Sequence, residues 1–319
     1  MSDGIGAGPA GELSRRLRAP SPRYGEKVIQ GLLAFCGLLS VVTTTAIVLS
    51  LLGPTIGFFE IVPGDEFFFG IDWTPQFEPP SFGVLAIVAG TLNVALWAML
   101  VAVPVGLGAA IYLSEYATPR VRKTVKPVLE ILAGIPTVAI GIFAVSFLLP
   151  EIIQPLWPGD LHGGVEKPFM AGAASLGIGL MVVPIIASIS DDAMSAVPRG
   201  LREGAYAMGA TKMKVATRVV FPAALSGIVA SVVLAISRAV GETMIVLIAG
   251  GSQPNFTLWF NEAIQAMTAY IGVTATGDIS TGTVDYKSVF AVGSVLFAMT
   301  LTMNLISIRL VRKYREVYE

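Results

Sequence analysis

Long apolar runs alternate with short polar or basic stretches along this chain. Six runs are long enough to cross roughly 30 Å of hydrocarbon at about 1.5 Å per helical residue. They lie at residues 28–58, 82–113, 127–149, 170–190, 220–250 and 288–311. A chain in lipid satisfies its backbone only within helices or a closed barrel, so the pattern predicts an all-α, polytopic membrane protein with six transmembrane helices. The first run is too long for a signal peptide's apolar region and lacks a small-residue cleavage site, so it reads as an uncleaved anchor. Residues 1–27, rich in Gly, Ala, Pro and Arg, read as a disordered tail, and residues 28–319 as the transmembrane domain.

Composition supports that reading. Of 319 residues 54% are hydrophobic and only 13% charged, with a mean hydropathy of +0.74, where soluble domains carry about 25% charged residues. A net charge of −1 gives no reason to expect a nucleic-acid partner. Cys36 is the only cysteine, which excludes a disulfide framework and a Cys-based metal site. His162 stands in a loop without a partner cluster, and no nucleophile–base set suggests an enzyme.

Basic residues orient the spans. Arg15, Arg16, Arg18, Arg23 and Lys27, then Arg120, Arg122, Lys123 and Lys126, then Arg199, Arg202, Lys212, Lys214 and Arg218, then Arg309, Arg312, Lys313 and Arg315 fall on one side. The opposite loops hold Lys167 and Lys287 among many carboxylates. Both termini are therefore expected in the cytoplasm, with contact to membrane lipid throughout.

Arg238 escapes this division. It stands four residues before Glu242 in "SRAVGETMIVLIAG", inside the fifth apolar run. Arginine at a helix centre costs about 2.5–3.5 kcal/mol on insertion scales. Spacing of i,i+4 puts both side chains on one helical face, near enough to pair. One reading is a neutralised pair that locks two helices; the other is a place on a transport path. Guanidinium keeps its charge and forks toward two oxygens of an oxyanion, which suits the second reading. There Glu242 would hold the cation when no substrate is present.

The loop between the fourth and fifth spans, about 191–220, is longer than a membrane turn needs. Leu201 to Ala216 is helix-forming, bracketed by Pro198 and Pro222. Leu201, Ala205, Met208 and Met213 make one apolar stripe, with Arg202, Lys212 and Lys214 solvated elsewhere. Two uses fit: a helix on lipid headgroups, or a docking helix for a cytoplasmic partner. Gly204 and Gly209 mimic the spacing of a phosphate-cradling loop, but Ala210 stands where its lysine belongs and no strand precedes.

The stretch "EGAYAMG", followed by "VVFP", resembles the EAA loop of ABC importer permeases, with Glu203, Ala205, Gly209 and Pro222 at the matching positions. Gly204 replaces one alanine, and Val219 and Phe221 replace the usual aliphatics. "FGVLAIVAGTL", "VAVPVGLGAAIYLSEYA", "EILAGIPTVAIGIFA" and "SRAVGETMIVLIAGG" are similar, in the same order, to permease subunits of the Pst phosphate importer, most of all the C-type subunit. The likeness covers roughly residues 60–311. It implies a type I ABC importer permease (MetI-like) fold in a prokaryotic plasma (inner) membrane, with the loop docking into an ATPase. It further implies a homologous (PstA-like) permease, two (PstB-like) ATPase subunits, an external (PstS-like) phosphate-binding protein, and inorganic phosphate as substrate. No cofactor is expected on this chain, since ATP and Mg belong to the ATPase subunits. Sulfate, phosphonate or another oxyanion, and an ATPase-independent secondary transporter or channel, are the alternatives.

Lesser features remain. Pro104, Pro136 and Pro184 lie within spans and remove helix hydrogen bonds. Gly172, Gly177 and Gly179, with Ala171, Ala173 and Ala174, suit close helix packing. "PNFTLWFNEAIQAMTAYIG" reads as a short helix at the outer interface, with Trp259 and Phe260 as anchors or as contacts for a delivery protein.

Overall fold

The computed structural model describes residues 24–156, 169–277, 279–280 and 282–313. The chain divides into two compact units, the second beginning at Leu51. The described part of the first is the leading stretch of helix α1 (Tyr24–Phe59), whose Leu32, Leu33, Phe35 and Leu38 are exposed. Of the expected disordered tail, residues 1–23 lie outside the described residues and Tyr24–Lys27 are already helical.

The second unit is helical apart from one small hairpin. After the end of α1 come α2 (Gly64–Phe69), the antiparallel strands β1 (Trp73–Thr74) and β2 (Ser81–Phe82), and α3 (Leu85–Tyr116). Then follow α4 (Pro119–Ala133), α5 (Thr137–Leu156), α6 (Ala171–Ser195), α7 (Arg199–Ala207) and α8 (Lys212–Ala223). The chain continues through α9 (Leu225–Val240), α10 (Met244–Ala249), α11 (Met267–Thr276) and α12 (Val284–Lys313). Among the described residues α1, α3, α5, α6 and α12 are each long and apolar enough to span a membrane, and the bent pair α8–α9 makes a sixth candidate.

Helix α6 lies at the centre, packed against α3, α4, α5, α9 and α10. Its small residues permit this. The predicted packing surface of Ala171, Gly172, Ala173, Ala174, Gly177 and Gly179 is buried throughout. A Cβ on Gly106 of α3 would stand 2.8 Å from the Ile186 side chain, so the two backbones approach only because glycine is there.

Three expected elements are redrawn. The third span does not begin at residue 127. α4 is a separate helix without a buried side chain, and Gly134–Pro136 break the chain before α5. Apolar residues continue across that break, which hid it; Pro136 caps α5 rather than kinking a span. Glu130 thereby belongs to exposed α4, not to a span. The fifth run, 220–250, holds two breaks: a 74° bend between α8 and α9, and an interruption at Gly241–Thr243. The predicted helix over 201–216 is two helices, and α6 reaches Ser195, well into the expected loop.

One end of the bundle is aromatic. Phe58, Phe67, Trp73, Phe82 and Tyr270 are buried edge-on against one another, as with Trp73 and Tyr270 at 4.9 Å and 86°. Here α1 meets α12, with the Thr55 and Ser294 hydroxyls 3.0 Å apart and Lys287 Nζ donating to the Gly57 carbonyl. The segment after α10 runs without helix until α11, so only part of the expected outer helix forms. It is held by α3: Asn93 Nδ2 donates to the Thr257 and Trp259 carbonyls, and Trp97 Nε1 to that of Leu258. Phe260 packs on Gly172 and Trp97, while Trp259 is exposed.

Candidate functional site

Two constellations emerge, one at the break after α9 and one at the basic end of the bundle. Gly241 ends α9, and the backbone turns before α10 begins. Breaking a helix strands N–H groups that have no intrahelical acceptor, which is costly away from water. Glu242 supplies the acceptor: its Oε1 takes hydrogen bonds from the Met244 N–H at 3.2 Å and the Ile245 N–H at 3.4 Å. Its own carbonyl accepts from Thr268 Oγ1 at 2.7 Å, which fixes the turn to α11. The expected pair with Arg238 is present at 3.7 Å, but it does not lie along one helical stripe, since Glu242 has left the helix.

The two members differ in exposure. The Glu242 side chain is 3% exposed and that of Arg238 is 48% exposed, although Arg238 ends an apolar helix. A guanidinium carries five N–H donors. Those of Arg238 face a 3.7 Å ionic contact and the Met181 sulfur, also at 3.7 Å, a weak acceptor. Its remaining donors have no oxygen acceptor within hydrogen-bonding distance, an arrangement chemically suited to an oxyanion with two free oxygens.

At the basic end, the residues of the EAA-like stretch have separate local tasks. Glu203 is exposed on α7. Gly209 adopts φ +80°, the left-handed region that favours glycine. Its N–H bonds the Tyr206 carbonyl and the next N–H, of Ala210, bonds that of Ala205, a Schellman stop to the helix. Ala205 and Ala210 then turn inward together against a small core that includes Met194, Val215 and Val220. Leu201, Met208 and Met213 are exposed instead, so the anticipated stripe with Ala205 splits because the glycine reverses the chain. Pro222 is exposed beside the α8–α9 bend. The loop thus presents Glu203, Tyr206, Met208 and Met213 outward on a folded base, a surface fit for docking.

Sequence reasoning placed Arg202 in solvent, and the structure corrects this. Its Nε and Nη2 each donate to Glu115 Oε1 at 3.1 Å, Nη1 donates to the Val197 carbonyl at 2.6 Å, and Nη2 to the Met194 carbonyl at 2.7 Å. The carbonyls at the end of α6 need such a donor. Next to it Arg122 of α4 bonds Asp191 at 2.8 Å and Ser195 at 2.5 Å, and Lys126 pairs with Asp192. These partners were missed because long-range pairing leaves no local periodicity. Available signals were two aspartates among the basic loops, and Arg122 and Lys126 four apart on one helix face.

Among the described residues no group of three His, Cys, Asp or Glu side chains is placed to hold a metal ion. His162 lies outside the described residues.

Comparison with known proteins agrees with this architecture. A family model described as "Binding-protein-dependent transport system inner membrane component" matches residues 102–316. The chain is 33% identical over 252 residues to "Probable ABC transporter permease protein YqgH" of Bacillus subtilis (strain 168), with 79% of each chain covered. It is 35% identical over 252 residues to "Phosphate transport system permease protein PstC" of Mesorhizobium japonicum, covering 74% of this chain and 75% of that one. The protein of the same name from Haemophilus influenzae is 32% identical over 306 residues, with 91% and 94% covered. In three dimensions the chain overlays a bacterial ABC transporter involved in the import of alginate, with a TM-score of 0.61 at 17% identity, covering 92% of this chain and all of that one. The inward-facing MetNI methionine ABC transporter gives a TM-score of 0.53 at 21% identity, covering 73% and 95%. The shared fold is that of type I ABC importer permeases, and the chain belongs to the family of binding-protein-dependent transport system inner membrane components, as a homologue of the PstC permeases.

Proposed function

We propose that this chain is the permease subunit of an ATP-driven phosphate importer and forms half of the translocation path. The observation that carries the reading is Arg238: a guanidinium set at the end of an apolar helix, half exposed, with no oxygen acceptor within hydrogen-bonding distance. A membrane helix tolerates such a residue where it faces a water-filled path or a substrate. The names of the PstC relatives supply the identity of the oxyanion.

In this reading the open side of Arg238 faces a homologous permease across the path, and phosphate binds the guanidinium with two oxygens. Glu242 holds Arg238 near the path between turnovers and accepts a hydrogen bond from the O–H of hydrogen phosphate, which sulfate cannot offer. Two ATPase subunits dock on the surface around Glu203 and Gly209, below the bend at Pro222, and carry the ATP and Mg. An external binding protein delivers substrate at the aromatic end. In this reading the basic end and both termini are cytoplasmic, a placement supported by the distribution of Lys and Arg.

The test is reconstitution of the whole transporter in proteoliposomes with Arg238→Gln. Assembly with loss of phosphate uptake is expected; full-rate uptake by that variant would overturn the path assignment. Uptake assays with sulfate and phosphonate distinguish the anion. A preference for either over phosphate removes the phosphate assignment while leaving the permease role intact.

A further inference from the structure

Arg202 occupies a junction that the docking surface alone does not require. Four hydrogen bonds leave its guanidinium. Two go to Glu115 in the widened last turn of α3, one to Met194 near the end of α6, and one to Val197 in the turn that follows. The arginine itself stands on α7, one residue before Glu203 of the docking surface. Its side chain is 17% exposed and that of Glu115 5%, so neither is a solvated surface charge. Ser114 Oγ also donates to the same Glu115 oxygen, which saturates it. A second link runs in parallel: the Tyr116 hydroxyl lies 3.8 Å from the Met213 sulfur, and Lys212 Nζ sits 5.8 Å over the Tyr116 ring.

We infer that the Arg202–Glu115 clasp joins the docking loop to the ends of α3 and α6 as one rigid block, and so positions these helices to follow the ATPases. The physical reason lies in geometry. A flexible loop would absorb a displacement applied at its surface. A planar guanidinium with fixed donor directions, held by acceptors on two helices and the turn that follows one of them, transmits it. Arg202 and Glu115 are thus positioning residues, remote from the substrate. The inference depends on the chain's being a permease docked to ATPases, and not on the identity of the anion.

Two readings of one set of complexes test it. With Cys36 replaced, nitroxide labels are attached at Gly108 of α3 and Gly200 of α7, where an added Cβ meets nothing within 4 Å. In the assembled transporter the label-to-label distance distribution is expected to stay the same with and without bound ATP, and to broaden or split in Glu115→Gln. A distance that shifts with ATP in the unsubstituted protein would overturn the rigid block, as would an unchanged distribution in the variant. The second reading is substrate moved per ATP hydrolysed. Glu115→Gln and Arg202→Lys are expected to keep ATPase co-purification and hydrolysis while this ratio falls about fivefold or more. Equal ratios, or loss of ATPase binding by both variants, would assign the pair to stability alone. Absent phosphate uptake by the unsubstituted transporter would sink the phosphate reading, and the distance measurement would still decide the block.

Discussion

Arg202 and Arg238 each face a glutamate, but their environments are opposite. At Arg202 the carboxylate is 3.1 Å away, two backbone carbonyls complete the set, and 17% of the side chain is exposed. At Arg238 the carboxylate is 3.7 Å away, the other acceptor is a sulfur, and 48% is exposed. Glutamate behaves differently too. Glu115 spends its oxygen on the arginine, whereas Glu242 gives one oxygen to two backbone N–H groups and only the other to its cation. A saturated ion pair fixes structure. An unsaturated one keeps donors free for a ligand.

The contrast can be broken by substitution. The largest expected effect is on transport by Arg238→Gln. Losing two charge-assisted hydrogen bonds to an oxyanion, at about 1.5 kcal/mol or more each, lowers uptake roughly a hundredfold. Its unfolding midpoint should barely move, since few contacts within the chain are lost. Arg202→Met reverses the emphasis. It strands a buried carboxylate and the Val197 carbonyl and takes one donor from that of Met194, for a loss of about 3 kcal/mol seen in the thermal unfolding of the purified complex. If the two variants behaved alike in both assays, the distinction would fail.

Smaller effects sharpen it. Gly209→Ala forces an L side chain into the left-handed region, costing about 1–2 kcal/mol and weakening co-purification of the ATPases. Glu242→Gln keeps an acceptor for Met244 and Ile245, so stability should fall by less than about 1 kcal/mol. Its phosphate-over-sulfate preference is expected to narrow in competitive uptake. An unchanged preference would remove the hydrogen-bond-accepting role.

Much of this was legible before any coordinates. The apolar runs locate the bundle because a bilayer selects for uninterrupted hydrophobicity, and the EAA-like stretch marks the loop proposed to dock the ATPases. Interruptions were harder to see. Gly134–Pro136 lies between apolar neighbours, so α4 merged with α5 in the hydropathy pattern, although Thr118 and Pro119 are ordinary helix-start residues. Gly241 had the composition of a helix stop, but the apolar residues on both sides masked it. The Arg238–Glu242 proximity was readable from spacing. The use of Glu242 as a backbone acceptor was not, since it depends on the break. The collar of Arg122, Lys126, Arg202, Glu115, Asp191 and Asp192 joins residues far apart in the chain, and the pattern read Arg202 as a solvated charge.

Asn93 and Trp97 hold three successive carbonyls, those of Thr257, Leu258 and Trp259, while the Trp97 ring also packs edge-on against Phe260. The course of that segment is therefore set by its neighbour in the bundle, and its own exposed letters, Phe256, Leu258 and Trp259 among them, are left free to drift. Substitutions at these exposed positions can therefore change what the segment displays without disturbing the helices beneath.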